Sequence, residues 1–268
     1  MIFRTLPIRG IQIMRAYRFL IAVCLLFGAA ATMATAETID YTDLDLRGQD
    51  VEFLGVTEDS ITDGLPLFDE PTLVGNSLVF NPASFEAFSD GGGVDLTDAS
   101  MTMEIRATNE LGMSAIEFFE AGEYLLSGIG TNATFAQVGA PVFVQIIEVD
   151  GQSIDPILIV DALEFTPSGG DFKLQDDQIG ARIGWEGTLT VDLDAALAAN
   201  NIDGATTRVL LNMDNSLLAE SEAGSQASLK KNETRVRIIP IPEPSSIVLA
   251  GFGLFALVGV SCRRRRER

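Results

Sequence analysis

The chain has 268 residues, with 38 Asp and Glu, 18 Lys and Arg and no histidine, for a formal net charge of −20. The missing imidazole excludes Ser-His-Asp and Cys-His catalysis and every His-ligated metal. Between residues 37 and 241 the imbalance is steeper, nine basic against 36 acidic residues, and so few cations exclude a phosphate-binding nucleic-acid surface.

In chain order, the first feature is an apolar run at 19–31, preceded by Arg15 and Arg18 and followed by Ala34-Thr35-Ala36. A basic region, a short apolar stretch and an A-x-A site predict a signal peptide over 1–36, cut by signal peptidase after Ala36. The small side chains of Ala34 and Ala36 suit the narrow pockets of that protease. The run is too short to predict a lasting membrane span. Met14 offers a second start that makes the signal more compact. Cys24 lies in this run and Cys262 near the other end, so residues 37–241 hold no cysteine and no disulfide.

Residues 37–241 read as an acidic β domain. Met101, Met103 and Ile105 alternate with Thr102, Glu104 and Arg106, a period of two that sets one face on a core and the other in water. Similar patterns or apolar runs predict strands at 51–55, 77–80, 114–119, 131–138, 141–149, 157–160, 180–185, 189–193, 207–213 and 236–238. The runs at 141–149 and 157–160 predict the more buried strands. Turn residues separate them at 90–93, 150–151, 168–171 and 203–204. About ten short strands at this spacing predict an all-β fold, an antiparallel two-sheet β-sandwich of jelly-roll type. One helix is expected at 192–201, with Asp192 as its cap and an alanine-rich body. Residues 37–50 and 214–230 read as loops or frayed edges, with an edge strand at most near 225–229.

The last segment, 242–268, has three parts. Pro242, Glu243 and Pro244 hold an extended stretch, 247–260 is apolar, and Arg263, Arg264, Arg265 and Arg266 follow. Fourteen helical residues span roughly 21 Å against a hydrocarbon core of about 30 Å, so this single hydrophobic helix is a short anchor. The arginines stay cytoplasmic and the domain lies outside. This order resembles the PEP-CTERM sorting signal of exopolysaccharide-producing Gram-negative bacteria. The resemblance implies Pro242, Glu243 and Pro244 as the recognition motif, 247–260 as a transient anchor and Arg263 to Arg266 as the basic stop. It further implies recognition by an exosortase-type membrane protease. Export through the inner membrane is then followed by transfer to the cell surface or the extracellular matrix. The stretch 208–231 also resembles the closing hairpin of β-sandwich domains in other PEP-CTERM proteins.

The domain itself offers little chemistry. Glu117 with Glu120, Asp161 with Glu164, and Asp176 with Asp177 are carboxylate pairs that a glycoside hydrolase could use, but each is only a sequence neighbour. Trp185, Tyr41 and Tyr124 are the Trp and Tyr side chains available for sugar stacking outside the signal. Asp43, Asp45 and Asp50, and Asp90, Asp95 and Asp98, supply loop oxygens for a structural calcium. The first trio starts like an EF-hand loop and fails as one, with Arg47 in a ligand slot and Leu54 where a glutamate belongs. The sequence therefore reads as a non-catalytic surface or matrix protein, without catalytic residues or a required cofactor, associated with exopolysaccharide or biofilm. A carbohydrate-binding module is the alternative, and a secreted hydrolase with a carboxylate pair comes third.

Overall fold

The computed structural model describes residues 37–108, 112–177 and 180–241. The expected signal peptide with Ala34 and Ala36 lies outside the described residues. So does the tail with Pro242, Glu243, Pro244, its apolar helix and Arg263 to Arg266.

The described residues form fifteen strands and one α-helix, and every ladder is antiparallel. The pairing has two arms. In the first, β1 (Glu37–Asp40), β2 (Val51–Ser60), β6 (Gly93–Ala107) and β14 (Thr206–Ser221) lie side by side. The free edge of β14 is then shared. Its first half pairs with β9 (Pro141–Val149), which carries β10 (Gln152–Ala162), and its second half pairs with β8 (Phe135–Gly139), which carries β12 (Asp171–Lys173). In the second arm, β11 (Glu164–Thr166), β13 (Ile183–Asp192), β7 (Met113–Gly128) and β15 (Ser225–Pro240) lie side by side. The far edge of β15 takes β4 (Ser77–Phe80) with β3 (Thr72–Val74), and also β5 (Glu86–Asp90). One bridge, Thr206 to Met113, joins the arms. The chain changes arm repeatedly, among other places between β5 and β6, β6 and β7, and β14 and β15, the crossing habit of a jelly-roll-like sandwich.

Alternation puts apolar side chains from both arms between them. Met101, Met103 and Ile105 of β6, Val209, Leu211 and Met213 of β14, and Leu229, Val236 and Ile238 of β15 are all buried. Each such side chain contributes about 1.5–3 kcal/mol by leaving water. The helix α1 (Leu193–Ala199) forms as expected: Asp192 Oδ1 accepts from Ala195 N at 2.8 Å, and Leu193 and Leu197 turn inward.

Four expectations need correction. The run at 157–160 is not a buried strand. It belongs to β10, which pairs only with β9, so Leu158 and Val160 are 60% and 50% exposed. Residues 214–230 divide between β14 and β15 and are neither loop nor frayed edge, whereas 37–50 are the edge strand β1 and turns, as read. The strand near 225–229 is no edge: it is the start of β15, held between β7 and β5. The stretch 208–231 is no hairpin either. No ladder joins β14 to β15 among the described residues; the turn at 222–224 carries the chain across the sandwich.

Candidate functional site

Strands β7 and β15 run side by side for most of their length and present opposite faces by parity. On the outer face the register brings Arg235, Phe119 and Thr188 into one row, and Arg237, Glu117 and Thr190 into the next. These six residues line a shallow groove of about 240 Å³. The Arg235 guanidinium lies 5.5 Å from the centre of the Phe119 ring, within cation–π range. It also pairs with Glu233. Arg237 Nη1 donates to Glu117 Oε2 at 3.2 Å. The groove thus offers one apolar ring, two forked donors, a carboxylate and two hydroxyls, all on rigid strands.

On the inner face the same two strands build a different cluster. Glu120 and Lys231 are both 0% exposed. Lys231 Nζ lies 2.7 Å from Glu120 Oε1, and it donates to Asn215 Oδ1 of β14. The rings of Phe85 and Phe68 close over the ammonium, with centroids at 4.9 and 5.5 Å. Desolvation dominates both partners: it pushes the Glu120 carboxyl up and the Lys231 amine down, each favouring the neutral form. Asn215 Nδ2 has no hydrogen-bond partner among the described residues. Lys231 sits at a register shift of β15 opposite Gly122, whose missing side chain leaves room for the Trp185 ring and the Lys230 carbonyl.

A second buried carboxylate, Glu58, has a structural task. Its Oε1 accepts from Leu67 N and Phe68 N at 2.6 and 2.9 Å, and its Oε2 accepts from the Tyr41 hydroxyl at 2.9 Å. It therefore pins the segment after β2 against the core. Burial raises the Glu58 carboxyl above its usual range, and these three donors only partly offset it.

The carboxylate pairs drawn from the sequence do not come together across a cleft. Glu117 and Glu120 point to opposite faces of β7. Asp161 and Glu164 are both exposed, on β10 and β11. Asp176 accepts from Asn132 Nδ2, while Asp177 accepts from Ser168 Oγ and Lys173 N. Among the loop aspartates, Asp50 accepts from Asn76 Nδ2, Asp95 from Phe88 N and Asp98 from Thr62 Oγ1. Among the described residues no three acidic or cysteine side chains converge on a metal position. Trp185, Tyr124 and Tyr41 are core residues and unavailable to a sugar; Tyr124 stacks on Phe172 at 3.9 Å. The aromatic ring in the outer groove is Phe119, which sequence reading left aside. Lys231 and Asn215 were also missed, although Lys231 falls in phase with inward Ala227 and Leu229, where an apolar residue is expected.

Residues 240–266 match the PEP-CTERM protein-sorting motif. The protein carries a PEP-CTERM sorting domain. The match begins at Pro240, the last residue of β15, and Ile241 N still donates to Gly112 O at 3.1 Å. Among the described residues no helix is long and apolar enough to cross a membrane. No curated protein matches the chain. Similar solved structures include the enzymatically active domain of bacteriophage CBA120 tailspike protein 4, at 12% identity and a TM-score of 0.20 over 76% of this chain; the chain spans 19% of that protein's length. A carbohydrate-binding module specific for non-crystalline cellulose is similar at 7% identity and a TM-score of 0.24, covering 58% of this chain and 79% of the module. A mutant family 29 carbohydrate-binding module has 10% identity and a TM-score of 0.19, over 76% of this chain and 92% of the module. Likeness this low carries no argument about function.

Proposed function

We propose that this PEP-CTERM protein is a non-catalytic component of the cell surface or extracellular matrix, delivered by an exosortase-type system and associated there with exopolysaccharide. Signal peptidase removes 1–36, the domain at 37–241 folds outside, and 242–268 holds it at the membrane until it is cut. The sorting domain carries this reading. Its position supports it: in the sequence Pro242 comes two residues after Pro240, the end of β15, so the motif follows the folded domain directly. Four arginines at 263–266 keep the helix from slipping through, since each costs about 2.5–3.5 kcal/mol at the bilayer centre on insertion scales.

Replacing Pro242, Glu243 and Pro244 together by alanine tests the reading. Cell fractionation and intact-mass measurement should find the variant in the membrane with Arg263 to Arg266 still attached, and the unaltered protein shortened and released. A variant that is shortened and released like the unaltered protein overturns it.

The outer groove supports a second, narrower reading, direct binding of a polysaccharide. Phe119 offers a flat face to a sugar ring, and Arg235, Arg237 and Glu117 match its hydroxyls.

A further inference from the structure

We propose that the side chains of Lys231 and Asn215 are joined by an isopeptide bond, made within the folded domain with Glu120 as the proton relay. Three groups with complementary chemistry meet in one dry site: an amine, a carboxamide and a carboxyl group. Lysine is among the side chains least often fully buried, so its place here calls for a reason. The Lys231 nitrogen touches the Asn215 amide, and the amide carbon lies one C=O bond, ~1.23 Å, beyond the contacted oxygen. Attack needs the nitrogen within about 3–3.5 Å of that carbon, a short swing of the lysine from its contact with the oxygen.

The surroundings prepare the reactants. An ammonium is no nucleophile, and an ionised carboxylate cannot supply a proton. Desolvation favours transfer of one proton from Lys231 to Glu120, 2.7 Å away, leaving a free amine and a neutral acid. The Lys231 Nζ lone pair then attacks Asn215 Cγ, and an Nζ–Cγ bond forms. Glu120 takes a proton from the attacking nitrogen and returns one to Nδ2. The Cγ–Nδ2 bond breaks with its electron pair on nitrogen, which leaves as ammonia. Nothing is oxidised or reduced, and no further reactant enters. Nδ2, the group that would depart, has no hydrogen-bond partner among the described residues.

The bond also has a structural place. Asn215 belongs to one arm of the sandwich and Lys231 to the other, and among the described residues one strand pairing, Thr206 with Met113, joins the arms. Residues 37–241 hold no cysteine, so a disulfide cannot tie the arms. An amide between Lys231 and Asn215 does so without a redox partner, which suits a protein kept outside the cell.

The test is peptide mapping of the protein purified from the cells that make it. After denaturation and trypsin, residues 209–230 should be found joined to 231–235, one ammonia lighter than the two peptides together, with no cut after Lys231. In Glu120→Gln no linked species should appear, and trypsin should cut after Lys231, giving 232–235 at its sequence mass. Because that variant can fail to fold, Asn215→Asp serves as a second: its linked peptides should be lighter by one water instead. Separate, unmodified peptides from the unaltered protein overturn the proposal. So does ammonia loss confined to 209–230, which marks an Asn215 succinimide.

Discussion

Strands β7 and β15 carry an acid–base pair on each of their two faces, and the pairs live under different physics. Outside, Glu117 and Arg237 meet at 3.2 Å with both side chains substantially exposed. Inside, Glu120 and Lys231 meet at 2.7 Å with neither exposed. Water screens the outer pair, so its net worth is about 0–1 kcal/mol. The inner pair has lost its hydration and is held only by its partners, so removing one leaves the other stranded at a cost of about 3–5 kcal/mol. The acid is a glutamate in both pairs, and parity along the strand decides which one water reaches.

The largest expected effect breaks this symmetry directly. Glu120→Ala should lower unfolding free energy in denaturant titration by about 3–5 kcal/mol, and Glu117→Ala by no more than about 1 kcal/mol. Replacing both inner partners, Glu120→Leu with Lys231→Met, should recover only part of the loss, because no charge is left unpaired but Asn215 loses its partner. Equal losses for Glu117→Ala and Glu120→Ala would mean that water reaches the inner pair.

The same contrast governs pH. Glu58 is buried and its carboxyl is raised by desolvation, whereas half-buried Glu222 is held below its usual range first by Thr131 N–H. A raised carboxyl binds its proton more tightly in the folded state, so its stabilisation is present in acid and is lost as pH rises through the folded value. A lowered carboxyl does the reverse, stabilising above its unfolded value and losing that as pH falls. Glu58→Gln keeps an acceptor for Leu67 N and Phe68 N while removing the titration. It should therefore flatten the fall in melting temperature between the ordinary carboxylate range and neutrality. Glu222→Gln should change the slope on the acid side only. A Glu58→Gln curve parallel to the unaltered one would show that this carboxyl is solvated.

The two faces were unequally legible in the sequence. Strands at 77–80 and 141–149 and the helix after Asp192 follow from local pattern, and the structure has them within a few residues. β7 and β15 are each 16 residues long and were read only in fragments. The reason is physical: inward positions filled by Glu120, Gly122 and Lys231 interrupt the apolar phase that reveals a strand. Those interruptions are the inner cluster itself, so the feature that hides the strand is the one with chemistry. The outer groove was hidden differently. Phe119 and Arg235 stand 116 positions apart, and only the β7–β15 register makes them neighbours. The sorting domain was legible because its three parts are consecutive, and their order needs no fold.

The smallest effect on stability belongs to the outer groove, and there the comparison can be sharpened. Phe119 stands on the solvent side of β7, so Phe119→Ala removes a ring face and its contact with Arg235 but opens no core cavity. Such a surface change should cost under about 1 kcal/mol. If the groove binds polysaccharide, the loss should appear in binding. A ring stacked on a sugar excludes water from one face, while Arg235 and Arg237 present paired N–H donors that a flexible ammonium cannot imitate. Affinity electrophoresis through gels holding the producing organism's own exopolysaccharide should retard the unaltered protein. Phe119→Ala and Arg237→Ala should migrate freely, at unchanged melting temperature. Arg237→Lys should recover little, since charge remains and the fork does not. Retardation that survives all three substitutions would move binding off this face. Retardation that disappears together with the melting transition would show that Phe119 belongs to the core, and the division between the two faces of β7 would then be wrong.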